Sequence, residues 1–203
     1  MLKLYYANPS RAIRPRWLLE EIGTPYELVR LDLSAGDQKR PEYLAINPNG
    51  TVPTLVDGDL TLFESAAICA YLADRFPEAQ LAPPLGTPDR GRYYQWMHYS
   101  MAAIDMPVIT IFHHTLFKPE HERIVAIAEE NRERLATALL VVDRALVGKP
   151  YILGHRFGAA DIMMGSGLIW ARGMHLIPGE RGQTLEYVAR LVQRPAFQRA
   201  SAD

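Results

Sequence analysis

The chain has 203 residues, a formal net charge of -1, 48% hydrophobic and 22% charged residues, the balance of a soluble globular protein long enough for one large domain or two small ones. With no basic block and no aromatic-basic interleaving, it excludes a nucleic-acid or anionic-membrane partner, and no run of eighteen apolar residues offers a membrane span. The single cysteine, Cys69, rules out an intrachain disulfide framework. An amino terminus without a signal-peptide pattern adds to the expectation of a reducing cytoplasm.

In chain order, Leu2 to Ala7 is a short apolar run of strand type. Residues 11 to 23 space Ile13, Trp17, Leu18 and Ile22 as a helix would and end at Gly23, a natural C-cap. Tyr26 to Leu33 alternates like a second strand, so strand, helix, strand implies a parallel βαβ unit. Thr54 to Phe63 reads as a hairpin turned by Asp57-Gly58-Asp59, and a helix follows from Glu64 to about Phe76. The series β-α-β-α-β-β-α predicts an α/β domain over 1–77. A linker is expected over 78–88, because five residues of Pro77 to Pro88 are Pro or Gly. Residues 89–203 read as all helix. One helix carries Tyr93, Met97, Ile104 and Ile111 and is expected to kink at Pro107. Another runs from Ile124 to Leu146 and stops at Gly148-Lys149-Pro150, and further helices cover roughly 159–172 and 183–194.

Residues Asn47 to Ser65 are the most informative stretch. Pro53 cannot donate a ladder hydrogen bond, so it belongs at the first position of a strand. A cis Val52–Pro53 bond, which costs only about 0.5–1 kcal/mol before proline, would turn the Val52 N–H and C=O outward, ready for an extended peptide ligand. Glu64 and Ser65 open the next helix and place a carboxylate and a hydroxyl beside free backbone N–H groups. They read either as ordinary capping or as the holders of a ligand's amine (Glu64) and carboxylate (Ser65 with backbone N–H groups). Gln38, Lys39 and Arg40, before Pro41, are solvated loop residues or the seat of a second carboxylate. Ser10 in the turn Asn8-Pro9-Ser10 is an N-cap, or a hydroxyl donor to a ligand thiolate at a helix start, where a thiol's pKa falls. Cys69 sits among apolar neighbours and reads as packing. The six histidines show no metal-ligand spacing; His113 and His114 are adjacent and point apart on a helix. The aromatic and methionine-rich set in the helical half, including Tyr93, Trp96, Tyr99, Met163, Met164 and Trp170, is core by default, with a minority left to line an apolar pocket.

Together, Pro41-Glu42-Tyr43-Leu44-Ala45-Ile46-Asn47-Pro48, Val52-Pro53, Glu64-Ser65, and Gly154, Phe157 and Ala160-Asp161 before an apolar helix resemble the cytosolic glutathione transferase family over the whole chain. The pattern is nearest the serine-type theta, delta and phi classes and bacterial-like, with the class unassigned. The resemblance implies a thioredoxin-like first domain with Pro53 as its cis-proline, and an all-α C-terminal domain. It implies glutathione as co-substrate with no metal, Ser10 as the catalytic hydroxyl, and a glutathione site at Asn8, Gln38, Lys39, Val52, Pro53, Glu64 and Ser65. A small apolar electrophile is expected at Tyr99, Ala103, Met106 and Met163, and a cytoplasmic homodimer is expected. The chain departs from the family pattern at Gln38 (often His), at Ala66 (often Arg) and at Gly158 (usually Ser or Thr). Asn8 is an alternative donor to sulfur. Conjugation of the thiolate to the electrophile is the first reading. A glutathione-dependent isomerase or dehalogenase, or a non-catalytic binding protein, are its alternatives.

Overall fold

A computed structural model describes residues 1–202, which fall into two compact units. One comprises Met1–Ala82 together with the segment that begins at Gln193, and the other Pro83–Val192. The division between the units falls between Ala82 and Pro83, inside the stretch 78–88, and the last residues group with the first unit instead of the helical one.

The first unit is a four-stranded sheet in the order β2-β1-β3-β4. Strand β1 (Leu2–Tyr6) alternates buried Leu2, Leu4 and Tyr6 with half-buried Lys3 and Tyr5, the period-2 pattern of a strand with one covered face. Helix α1 (Ile13–Ile22) carries the chain across to β2 (Tyr26–Arg30), which pairs parallel to β1 with Leu4 opposite Leu28. The expected strand to Leu33 stops early. Asp32 Oδ1 accepts from the N–H groups of Ser34 (2.9 Å) and Ala35 (3.1 Å), a side-chain turn that takes the backbone groups a ladder would need. After the one-turn helix α2 (Pro41–Leu44), β3 (Thr54–Asp57) and β4 (Leu60–Phe63) form the expected hairpin, and α3 (Ser65–Arg75) follows.

Sequence reading placed no separate helix at 195–200. There α9 (Pro195–Ala200) packs on α1, with Trp17 and Phe197 edge-to-face at 4.8 Å between ring centroids. Arg194 forms a two-pronged ion pair with Glu21 (2.6 and 2.8 Å), and Arg199 reaches Glu20 at 2.7 Å.

In the helical unit, α4 (Pro88–Tyr99) and α5 (Met106–Phe112) are joined by a π-helical segment, Ser100–Asp105. Pro107 thus falls in the first turn of α5, where a missing N–H needs no partner, so the backbone adjusts ahead of the proline rather than kinking at it. A second π-helical turn covers His113–Phe117, and α6 spans Val125–Ala145. Helix α7 (Ala159–Gly173) is apolar on nearly every side and forms the centre of the unit, followed by α8 (Gly182–Val192). A Cβ at Gly167 of α7 would lie 2.6 Å from Asp105 Oδ1 and 3.1 Å from Ile104 Cγ2, so this close approach requires glycine. Among the described residues, no helix is long and apolar enough to cross a membrane.

Candidate functional site

Strand register brings the predicted segments of the first unit to one end of the sheet. Tyr5 pairs with Thr54, Thr54 with Phe63, and Tyr6 with Arg30. One step beyond these pairs stand Ala7 leading to Asn8-Pro9-Ser10, Pro53 before β3, Glu64 after β4, and the 31–40 loop after β2. Four chain segments remote in sequence thus leave the sheet at the same edge.

Pro53 is buried, and the bond before it is cis, as is Asn8–Pro9, which the sequence reading did not anticipate. A buried network fixes this segment. Tyr43 Oη donates to the Thr51 carbonyl at 2.6 Å and, with its proton so committed, accepts from Thr54 Oγ1 at 2.8 Å. Asn47, fully buried, donates its amide to the Thr51 carbonyl and to Thr54 Oγ1, both at 2.9 Å. Buried polar groups of this kind persist because every member is satisfied. Sequence reasoning missed the roles of Tyr43 and Asn47; an asparagine amid Asn-Pro-Asn-Gly reads as turn chemistry, and only its burial reveals the brace. Val52, between the two braced positions, uses neither its N–H nor its C=O in any hydrogen bond among the described residues.

Glu64 has φ 71° and ψ 111°, a conformation that costs a non-glycine residue on the order of 1–3 kcal/mol and persists only where the surrounding structure holds it. Its carboxylate is exposed and makes no ion pair among the described residues. Ser65 begins α3 and is buried at its N-terminus, where backbone N–H groups and the helix dipole favour an anion. Ser10 Oγ donates to the Ala7 carbonyl at 2.5 Å and accepts from Ala12 N–H at 3.1 Å. It braces the turn ahead of α1 rather than capping the helix, whose N-cap is Ala12. Asn8 is exposed in the same turn.

In the 31–40 loop the three polar residues separate. Arg40 is tied to Asp37 at 2.8 Å. Gln38 donates Nε2 to the Leu33 carbonyl at 3.2 Å, and its Oε1 is buried without a partner among the described residues. Lys39 is exposed, with an ammonium in no ion pair among the described residues, which leaves it the available cation. Gly50 (φ +58°) allows this arrangement. A Cβ there would stand 2.8 Å from the Gln38 carbonyl oxygen and 2.9 Å from Lys39 Nζ. Gly50→Ala is expected to lower the unfolding free energy by about 2 kcal/mol, from the left-handed backbone and the displaced loop together, read as a fall in denaturant midpoint.

Cys69 is fully buried, and burial pushes its thiol up to about 12, against a smaller lowering by Arg14. It is packing, as expected, and inert at neutral pH. In the helical unit, Tyr99, Ala103 and Met106 border a cleft of about 380 Å³, together with Asn131, Arg134 and Thr137. Met163 does not join them. It is 0% exposed inside α7, because a helix apolar on all sides buries every methionine it carries.

The family model described as the glutathione S-transferase N-terminal domain matches residues 2–74. Glutathione S-transferase F9 of Arabidopsis thaliana is 34% identical over 172 residues, covering 80% of this chain and 77% of the relative. The disulfide-bond oxidoreductase YfcG of Escherichia coli is 32% identical over 171 residues, covering 80% and 76%. The crystal structure of a glutathione transferase family member from Pseudomonas fluorescens, with two glutathione molecules bound, superimposes with a TM-score of 0.89 at 28% identity, covering 98% of this chain and 91% of that one. With a thioredoxin-like sheet, a helical second unit and relatives at this identity and coverage, the chain belongs to the glutathione S-transferase family of enzymes.

Proposed function

We propose that the protein binds glutathione at the sheet edge of its first unit and conjugates the thiolate to a small apolar electrophile, working as a homodimer. The observation that carries the reading is the convergence there of the unpaired Val52 backbone, the strained Glu64 and the buried Ser65. In this reading Val52 pairs with the cysteinyl backbone, Glu64 takes the ligand's amine, and Ser65 with the α3 N-terminus takes the γ-glutamyl carboxylate. Lys39, with Gln38 beside it, serves the glycyl end, and Ser10 serves the sulfur, with Asn8 in the same turn as the alternative donor. The cleft beside Tyr99, Ala103 and Met106 is our choice for the electrophile, on the strength of its mixed apolar lining.

A second reading, disulfide reduction, is favoured by the similarity to an oxidoreductase and to a protein with two glutathione molecules bound. Cys69 is the chain's one thiol and is fully buried, so both attacking sulfurs in that reaction come from glutathione. The first thiolate attacks the substrate disulfide and releases one thiolate. The second attacks the mixed disulfide, leaving oxidised glutathione and two reduced thiols in all.

Titrating glutathione calorimetrically, then assaying 1-chloro-2,4-dinitrobenzene beside 2-hydroxyethyl disulfide, separates these readings. Conjugation predicts saturable turnover of the first substrate with one glutathione consumed per product. Exclusive turnover of the disulfide, with two consumed, replaces it with the second reading, and absence of glutathione binding overturns both.

A further inference from the structure

Arg14 stands four residues past Ser10 on α1, yet its side chain runs inward and is 2% exposed. Its Nη1 donates to Ser65 Oγ at 3.3 Å, between two buried side chains 51 residues apart in sequence. A hydroxyl has one proton to give and two acceptor positions. The Arg14 bond fills an acceptor position, while Ser65 donates its own proton to no group among the described residues. A buried hydroxyl in that state lacks an acceptor, and a guanidinium behind it favours an anionic one. The first turn of α3, Ser65-Ala66-Ala67-Ile68, carries no charged side chain, so the α3 dipole is reinforced by a cation from α1 instead of one from its own sequence. That charge is felt one turn further on, where it draws the Cys69 thiol down against the stronger upward push of burial.

We propose that Arg14 is a positioning residue for the ligand's carboxylate: it holds Ser65 by an acceptor lone pair, keeps the hydroxyl proton facing the ligand, and replaces the charge that Ala66 does not supply. Arg14 acts through Ser65 and does not itself touch the ligand. The inference rests on the reading that Ser65 holds the γ-glutamyl carboxylate of glutathione.

The test is a double-mutant cycle on the full chain, with glutathione affinity measured calorimetrically for the wild type, Arg14→Met, Ser65→Ala and the pair. Each single change is expected to weaken binding about tenfold, the scale of one charge-assisted hydrogen bond. The pair should lose little more than either, because both remove one pathway. Arg14→Lys should recover part of the loss, and kcat at saturating glutathione should stay within about twofold while KM for glutathione rises. Cysteinylglycine, which lacks the γ-glutamyl carboxylate, should bind wild type and Arg14→Met equally. Additive losses in the pair, or an equal loss for cysteinylglycine, overturn the proposal while leaving glutathione binding intact. Should Arg14→Met fail to fold, Arg14→Lys with and without Ser65→Ala completes the same cycle. A wild-type protein that does not bind glutathione overturns the functional reading itself, and this inference with it.

Discussion

Ser10→Ala is expected to move the acid limb of the kcat/KM profile upward by about 1–2 pH units, with turnover at pH 7 falling roughly 10- to 30-fold. The free thiol ionises near pH ~8.5, and a hydroxyl donating to the sulfur favours the thiolate, so it lowers that value in the complex. Removing the donor raises it again. The loss is therefore full below the wild-type inflection and vanishes as pH climbs past the variant's own. Rates that converge near pH 9, with glutathione affinity weakened by the linkage between thiol ionisation and binding, are the signature. The structure adds a constraint on the size of the effect. In the unliganded protein the Ser10 proton is held by the Ala7 carbonyl at 2.5 Å, so the hydroxyl must leave that bond to reach the sulfur, and its net contribution is reduced by about 1 kcal/mol. An unchanged profile in Ser10→Ala, with the shift found instead in Asn8→Ala, transfers the role to Asn8.

Asp161→Ala is expected to be the most damaging single change for stability, at about 4 kcal/mol and a fall of roughly 10 °C in Tm. The carboxylate is fully buried and accepts from the N–H of Ile152 (2.8 Å), the N–H of Gly158 (2.9 Å) and the Tyr187 hydroxyl (2.8 Å). Alanine strands all three donors in the interior. Tyr187→Phe removes only one partner and should cost about 1 kcal/mol, which separates the shared network from a general effect of mutating this region. Burial first, and the Asp161 charge after it, raise the Tyr187 pKa well above its ordinary value. A raised folded value means that stability is fully present below the unfolded tyrosine pKa near ~10 and declines as pH rises above it. Denaturant midpoints for both variants, measured at pH 7 and pH 10.5, check the magnitudes and the sign.

What could be read from the residues was what is local or periodic. Leu2, Leu4 and Tyr6 announce β1 by alternation, Asp57-Gly58-Asp59 marks its hairpin, and Gly23 caps α1 in the left-handed conformation. Glu64-Ser65 marks the start of α3 in the sequence because a carboxylate and a hydroxyl in succession are usual where a helix opens. Contacts across long separations were not legible. Nothing in Ile13-Arg14-Pro15-Arg16 tells that Arg14 turns inward to a hydroxyl in α3, and an arginine on a helix is expected to face water. Met163 and Met106 look alike as residues, but one is sealed in the central helix and the other is 56% exposed. Gln38 and Lys39 are neighbours in one loop, and only the fold shows that the Leu33 carbonyl engages the amide while the ammonium makes no ion pair among the described residues.

The first unit is not contiguous in sequence: it takes its last helix, α9, from beyond the whole helical unit. On a ribosome, which releases the chain from its amino end at about 5–20 residues per second, residues 1–82 emerge with the Trp17 face of α1 still lacking Phe197, and with Glu21 lacking Arg194. The helical unit, uninterrupted in sequence, can complete itself first. The unit made earliest is therefore the unit finished last, since its fold closes only after the helical unit has been synthesised.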